Sequence, residues 1–308
     1  MRLRWQGLVM TLVCAVCMAQ EPVTTLRVTS RVVAVSAVVR AKDGSPVTTL
    51  TKDDFVLKQD GKEQALRYFS EADDLPLTLT LLVDTSGSQR TLIGDESIAA
   101  DVFLRTMLQR PQDRAALIQF DAAVTVLHGL TSDPGALQLS MTSLGARKDT
   151  ANGTLLHDSI VAVTDRLLSK EKGRKAIVLL TDGVDTGSSH ALKDAIEEAQ
   201  KNNAQVYSIY YGAFVGMQPG RNSAFAGRDG REVLKRLSQQ TGGRAFEVSP
   251  SMGLRAIFLR IADDLRTQYE LGYTPPPDTA AGKWHKLEVR VKDKGNTVQA
   301  RNAFYAEP

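Results

Sequence analysis

The sequence predicts an α/β protein whose open, mostly parallel sheet is inserted into a β-sandwich built from the two ends of the chain. Two observations predict this class. Between residues 76 and 266, β-branched apolar runs alternate with segments whose apolar residues recur at helical spacing. On either side of that region, short strand-like segments and turn residues occur without a helical pattern. The predicted organisation is a signal peptide over 1–19, β segments over 20–75 and 267–308, and an α/β domain over 76–266.

Composition excludes several classes of protein. The chain has 308 residues, of which 43% are hydrophobic and 24% are charged, so it can bury a full core and is not a disordered tail. Lys and Arg number 38 against 35 for Asp and Glu, which gives a formal net charge of +3. Because a phosphate backbone needs a clear basic surplus, nucleic acid is not an expected partner.

The N-terminus has the layout of a secretory signal peptide. Arg2 and Arg4 precede an apolar run over Gly7–Met18, and small residues stand at the places expected for cleavage after Ala19. The alternative is an uncleaved anchor, but the run is shorter than the roughly 20 residues that span a bilayer. We expect a protein that is secreted, periplasmic or in the cell envelope, without a transmembrane segment in the mature chain. Both cysteines, Cys14 and Cys17, would be removed, so no disulfide is expected.

The segments at the two ends of the chain are predicted to form one sandwich. In the first, β-branched valines lead to turn residues at Lys42–Pro46, and a strand over Phe55–Gln59 ends at the hairpin signal Asp60-Gly61. The second returns to strand patterns, which lie at Tyr269–Tyr273, Leu287–Val291 and Val298–Tyr305. Each segment is too short to form a stable domain alone, so we expect the two to pack together.

The central region begins with Leu77–Val83, an almost continuous apolar run that is typical of a strand buried on both faces of a parallel sheet. Further strands are predicted at Ala115–Phe120, Val124–Leu127, Ala176–Leu180, Val206–Tyr211 and Arg244–Val248. Helices are predicted up to Arg110-Pro111 and at Pro134–Leu144, Leu155–Leu168, Ala191–Lys201, Arg231–Gln239 and Met252–Arg266. The stretch Gly212–Gly230 is predicted to be a flexible, solvated connection, with a basic binding loop as the alternative.

Carboxylates and hydroxyls follow two of these strands. Asp84, Ser86 and Ser88 come directly after the first strand, and Asp182 follows Ala176–Leu180. Ligands of open α/β sheets bind beyond the carboxyl ends of strands where the strand order reverses, so these side chains are expected to meet there. Thr154, at the start of a predicted helix, can add a third hydroxyl. Such oxygen ligands suit a hard divalent cation.

These motifs resemble those of the von Willebrand factor type A family. The resemblance rests on Asp84-Thr85-Ser86-Gly87-Ser88, Gly153-Thr154 and Thr181-Asp182-Gly183, in that order, and on flanking β segments like those of a long form found in secreted bacterial proteins. It implies a metal-ion-dependent adhesion site (MIDAS). Ser86, Ser88 and Thr154 would contact the metal directly or nearly so, and Asp84 and Asp182 would do so directly or through water. A partner's carboxylate would take the remaining position.

Each motif alone has a plainer interpretation. Asp84 to Ser88 could cap a helix, Thr154 with Asp158 could do the same, and Asp182-Gly183 could be only a turn. Their joint occurrence favours the metal site. Asp185 is expected to be a solvated loop acid, and the four scattered histidines are not expected to be ligands.

The leading hypothesis is a secreted, metal-dependent binding module that recognises an exposed Asp or Glu of a partner protein. Mg²⁺ is the expected cation, with Mn²⁺ or Ca²⁺ as alternatives, and no catalytic residues are assigned. One alternative is a scaffold in which the metal only staples loops together. The other is a metal-dependent hydrolase, which would need a general base or nucleophile near Asp84 that the sequence does not offer.

Overall fold

The computed structural model describes residues 32–71, 75–86, 93–146, 153–211 and 223–306, except for the side chains of 93–97 and 223–229. These residues belong to one compact unit that spans Arg31–Pro308. The predicted signal peptide, with Cys14, Cys17 and the expected cleavage after Ala19, lies outside the described residues. No helix in the described part of the chain combines the length and the hydropathy that a membrane crossing requires.

The elements follow the predicted order. The strands are β1 (Val33–Arg40), β2 (Phe55–Gln59), β3 (Lys62–Gln64), β4 (Leu66–Glu71), β5 (Leu77–Asp84), β6 (Arg114–Phe120), β7 (Val124–Thr131), β8 (Arg174–Thr181), β9 (Ala204–Tyr210), β10 (Ala245–Glu247), β11 (Tyr269–Tyr273), β12 (Lys283–Val291), β13 (Thr297–Ala300) and β14 (Ala303–Ala306). The helices are α1 (Ile93–Met107), α2 (Pro134–Met141), α3 (Leu156–Arg166), α4 (Leu192–Lys201), α5 (Ser223–Thr241) and α6 (Leu254–Thr267).

The central sheet has six strands in the order β10-β9-β8-β5-β6-β7. All neighbours are parallel except β6 and β7, which form an antiparallel edge. Every residue of β5 is buried, as the continuous apolar run predicts. The predicted class, an open and mostly parallel sheet, is confirmed.

Helices cover both faces of this sheet because successive side chains of a strand point to opposite sides. On one face, Leu79 and Leu81 of β5 share a core with residues of α1, α2 and α6, among them Phe103 and Phe258. On the other face, Leu82 shares a core with residues of α3, α4 and α5. The two faces of the sheet are therefore covered by different sets of helices.

The two ends of the chain form two antiparallel sheets, in the orders β13-β1-β11-β4 and β14-β12-β2-β3. The pairing joins distant segments directly: Val35 lies opposite Leu271, and Leu57 lies opposite Val289. The two sheets enclose one core that contains Phe55, Tyr269 and Leu287, among others. The predicted antiparallel sheets from both ends of the chain are thus present, while the domain boundaries after residues 75 and 266 stay a prediction.

The hairpin expected at Asp60-Gly61 is confirmed. β2 and β3 pair around it, with Gln59 opposite Lys62. Asp60 and Gly61 have φ values of 49° and 82°. A two-residue turn with positive φ at both positions matches the twist of the strands, which is why Asp-Gly favours it.

Two predictions about individual elements are wrong. The helix expected at Arg231–Gln239 begins at Ser223, so the C-terminal part of Gly212–Gly230 is helical and not a loop; residues 212–222 lie outside the described residues. The single strand expected over Val298–Tyr305 is two strands that belong to different sheets. The chain changes sheets at buried Arg301, whose guanidinium donates a hydrogen bond to the carbonyl of Ala34, a contact that no local pattern reveals.

Candidate metal centre

Asp84 is the last residue of β5, and its carboxylate is almost completely buried. Oδ1 accepts a hydrogen bond of 2.9 Å from the backbone N–H of Ser86. Oδ2 accepts one of 2.6 Å from the hydroxyl of Thr181, which ends the neighbouring parallel strand β8. The carboxyl ends of β5 and β8 are therefore joined through this one side chain.

This end of the sheet is where the strand order reverses. From β5 the chain continues to β6 on one side, and it later returns to β8 on the other side. Loops that leave in opposite directions open a crevice at such a point, which is the usual ligand position in open α/β sheets. The reversal of strand order that the sequence predicts is thus present at this edge, while a metal site there stays a prediction.

Thr154 reaches the same edge through the loop that precedes α3. The N–H of Leu155 donates to the carbonyl of Asp121 at 2.8 Å, and the N–H of Thr85 donates to the carbonyl of Phe120 at 2.8 Å. Both segments therefore flank the end of β6. Thr154 is buried, and its N–H donates a hydrogen bond of 2.9 Å to the hydroxyl of Thr186 in the loop after β8. The structure thus places Thr154 between the end of β6 and the loop that carries Asp182.

Asp182 follows β8 directly and is partly exposed. Its Oδ1 accepts a hydrogen bond of 3.0 Å from the N–H of Val184. The chain turns sharply at Gly183, where φ is 77°. This conformation carries little cost for glycine and turns the chain away from the sheet immediately after the carboxylate.

The two carboxylates influence each other. Burial and, to a smaller extent, the charge of Asp182 raise the pKa of Asp84, and hydrogen bonds from Ser86 and Thr181 lower it, so that the pKa lies at about 6. A buried carboxylate beside a second acid is unfavourable unless a positive charge compensates it. A cation at this position would supply that compensation.

Four of the five predicted site residues lie at this edge: Asp84 ends β5, and Ser86, Thr154 and Asp182 lie on the loops beside it. The fifth, Ser88, lies outside the described residues. No group of three or more His, Cys, Asp or Glu side chains suited to a metal is found in the described part of the chain. The donors are instead two carboxylates and hydroxyls, which fit a hard cation such as Mg²⁺ and not a site of the zinc type.

Three residues near the site have roles that the sequence did not reveal. Thr181 bonds to Asp84, and only its place in the motif beside Asp182 could have signalled this. Gly230 of α5 lies against the Asp182 loop so closely that a Cβ there would stand 2.1 Å from the carbonyl oxygen of Asp182. Asp185, expected to be a solvated loop acid, accepts hydrogen bonds from the N–H groups of His157 and Ser188, so that expectation is wrong.

The histidines of this edge are held by other acids. Nδ1 of His190 lies 2.7 Å from Oδ1 of Asp158, and Nδ1 of His157 lies 3.5 Å from Oδ2 of Asp185. The hydrogen bonds to Asp84 come from Ser86 and Thr181 and not from either imidazole. Both contribute instead to the contact between the Thr154 and Asp182 loops.

A family model described as the von Willebrand factor type A domain matches residues 78–259. No curated protein matches the chain. Similar solved structures include an aerotolerance-related membrane protein from Bacteroides fragilis NCTC 9343, at 14% identity and a TM-score of 0.46, with 61% of this chain and 98% of that chain covered. They also include the von Willebrand factor domain of the type V pili tip protein Mfa5 from Porphyromonas gingivalis, at 14% identity, a TM-score of 0.47, and coverage of 61% and 94%.

Proposed function

The chain belongs to the von Willebrand factor type A family, and from this premise we propose that it is a protein-binding module that recognises a partner through a divalent cation. The proposed ligands are Asp84, Ser86, Ser88, Thr154 and Asp182, and Mg²⁺ is the proposed cation, with Mn²⁺ or Ca²⁺ as alternatives. When bound, the cation supplies a positive centre that accepts a carboxylate oxygen from an Asp or Glu of the partner.

The observation that carries the proposal is the buried carboxylate of Asp84 beside Asp182 at the reversal point of the sheet. With only two acids among the donors, a divalent cation keeps positive character toward a third carboxylate from outside. The hydrogen bond from Thr181 to Asp84 joins the ends of β8 and β5, and in this proposal Thr154 adds its hydroxyl from the loop before α3. The protein would thus contribute carboxylate and hydroxyl oxygens to the cation.

The contacts around the site favour a role of the metal in partner binding over one in which it only holds the loops together. The Thr154 and Asp182 loops are connected by hydrogen bonds of their own, for example that of 2.9 Å from the N–H of Thr154 to the hydroxyl of Thr186. A cation is therefore not needed to bring these loops together. We propose no catalytic role for the site, and we propose a location outside the cytoplasm on the basis of the N-terminal pattern.

The test is metal binding followed by capture of a partner. Isothermal titration of the purified protein with Mn²⁺ and Mg²⁺ is expected to show one site, and Asp84→Ala is expected to abolish it. Affinity capture from envelope or extracellular extract, with and without chelator, is expected to recover a partner only when metal is present. Asp165→Asn, a charge change on the exposed part of α3, is the control. Partner binding that survives both chelation and Asp84→Ala would reject the proposal.

A further inference from the structure

The loop before α3 and the loop after β8 are joined by a dense set of hydrogen bonds, here called the loop lock. Its members are Thr154, His157 and Asp158 on one side and Asp185, Thr186, Ser188, Ser189 and His190 on the other. The two sides belong to different elements, and each carries one of the proposed metal ligands, Thr154 or Asp182. Of these contacts, only the one between Thr154 and Thr186 entered the argument for the proposed function.

The first part of the loop lock caps a helix. The residue that precedes α3 is Leu155, whose side chain cannot accept a hydrogen bond, so the first N–H groups of the helix have no cap of their own. The other loop satisfies them. Oδ2 of Asp185 accepts from the N–H of His157 at 3.0 Å, and the hydroxyl of Ser188 accepts from the N–H of Asp158 at 3.0 Å.

In the second part of the loop lock, a side chain of α3 accepts hydrogen bonds from the loop after β8. Oδ2 of Asp158 accepts from the N–H of Ser189 at 3.0 Å, and Oδ1 accepts from the N–H of His190 at 2.9 Å. The imidazole of His190 adds a contact of 2.7 Å to the same oxygen. The side chain of Asp158 is 22% exposed, so these charge-assisted hydrogen bonds are partly shielded from water.

The third part acts on Thr154 itself. Its N–H donates to the hydroxyl of Thr186 at 2.9 Å, and its carbonyl accepts from the N–H of Thr186 at 3.1 Å. Thr186 stands between Asp185 and Ser188 in the same loop. The backbone of Thr154 is therefore held on both sides by a residue whose own position depends on the loop lock.

We propose that Asp158 is a positioning residue: through the loop lock it holds Thr154 and Asp182 in the relative position that cation binding needs. Asp158 would not contact the cation. This inference rests on the function proposed above and deepens it, because it assigns the preorganisation of the site to a carboxylate outside the ligand set. Outer contacts of this kind commonly contribute tenfold or more to metal affinity.

The test compares Asp158→Asn with Asp165→Asn, which removes the same charge from an exposed position of the same helix. Two quantities are measured. The first is Mn²⁺ affinity by isothermal titration, expected to fall about tenfold in Asp158→Asn and to stay unchanged in Asp165→Asn. The second is hydrogen exchange of the Thr154 and Thr186 amides without metal, expected to be about tenfold faster in Asp158→Asn only. Ser188→Ala, a smaller change in the loop lock, is expected to move both quantities in the same direction and serves if Asp158→Asn does not fold.

The outcomes distinguish a failure of the positioning role of Asp158 from a failure of the proposed metal-dependent function. If the wild-type protein binds Mn²⁺, Asp84→Ala does not, and Asp158→Asn binds as the wild type does, the positioning role is overturned while the proposed function stands. Unchanged exchange at Thr154 and Thr186 would overturn it as well. A wild-type protein that binds no Mn²⁺ would overturn the proposed function, and the positioning role with it.

Discussion

Asp84 combines two requirements that conflict at the level of a single residue. Its carboxylate is buried and lies beside Asp182, which disfavours the charged form, yet the proposed role as a cation ligand needs that form. Hydrogen bonds from Ser86 and Thr181 offset only part of this cost, since the pKa still lies near 6. In the metal-free protein at pH 7, the charge on Asp84 therefore opposes folding.

We expect Asp84→Asn to stabilise the metal-free protein while abolishing metal binding. Asparagine keeps the size and one acceptor oxygen of Asp84 but removes the buried charge, so the free energy of unfolding at pH 7 should rise by on the order of 1–3 kcal/mol. Urea unfolding in chelator measures the gain, and Asp165→Asn should change it by less than about 0.5 kcal/mol. A variant that unfolds more easily than the wild type in chelator would contradict this account.

A second residue-level effect concerns pH. Nδ1 of His285 lies 2.7 Å from Oδ2 of Asp60, and Nε2 lies 2.9 Å from the carbonyl of Ala280, so both ring nitrogens face acceptors. Burial lowers the pKa of His285, but these hydrogen bonds and the charge of Asp60 raise it above its ordinary 6.5 overall. Chiefly through the hydrogen bond from His285, the pKa of Asp60 lies below its ordinary 3.8.

The sign of the pH effect follows from these directions. The raised pKa of His285 stabilises the fold below pH 6.5, and this contribution is lost as the pH rises through the folded-state value. The lowered pKa of Asp60 stabilises it above pH 3.8, and that contribution is lost on acidification. We expect the pair to contribute most between these values. Chemical unfolding across pH should show a smaller loss of stability above pH 6.5 in His285→Gln than in the wild type, and identical slopes would contradict the assignment.

At the scale of elements, the Asp182 loop depends on the close approach of α5. A Cβ on Gly183 would stand 2.4 Å from the carbonyl oxygen of Gly230, and one on Gly230 would stand 2.1 Å from that of Asp182. Glycine at both places lets the helix and the loop touch through their backbones alone. This contact explains why glycine occurs inside a helix, where it would otherwise weaken it.

We expect Gly183→Ala to destabilise the protein and to weaken metal binding together. The new methyl group clashes with α5, and φ at this position is positive, so about 1–3 kcal/mol of stability should be lost. Because the displaced loop carries Asp182, Mn²⁺ affinity should fall as well. Gly253→Ala is the matched control, since no atom lies within 4 Å of its added Cβ. Wild-type affinity in Gly183→Ala would show that the contact with α5 does not position the loop.

At the scale of the whole molecule, a buried ion pair connects the terminal sheets to the central domain. Arg40 of β1 bonds to Asp263 at 2.7 Å and also to Asp264, both on α6. Arg40 is 4% exposed and the side chain of Asp264 is completely buried. Removing one partner of such a pair leaves the other charge buried and uncompensated, which costs far more than the pair itself contributes.

We expect Arg40→Ala to lower the free energy of unfolding by about 3–5 kcal/mol. The exposed pair of Arg105 and Asp101 on α1 provides the comparison, and Arg105→Ala should cost no more than about 0.5 kcal/mol. Urea unfolding followed by circular dichroism measures both. Equal and small losses in the two variants would mean that the junction between the terminal sheets and α6 does not depend on this charge.

The sequence by itself determined the class of fold and most strand and helix positions, and it supplied the residue types of the proposed site. Those features follow from local causes: side-chain periods of 2 and 3.6, the turn chemistry of Asp60-Gly61, and short motifs such as Thr181-Asp182-Gly183. The extent of α5 and the division between β13 and β14 were missed, because local signals there are weak and packing decides them.

Only the tertiary structure decided which distant groups meet. The hydrogen bond from Thr181 to Asp84 joins residues 97 positions apart, and Asp158 contacts His190 across 32 positions. Asp185 shows the consequence most clearly, since a loop acid has the same local sequence whether water or a neighbouring helix N-terminus satisfies it. Local patterns are set by neighbours along the chain, whereas the preorganisation of a site depends on backbone groups that become neighbours only when the sheet has formed.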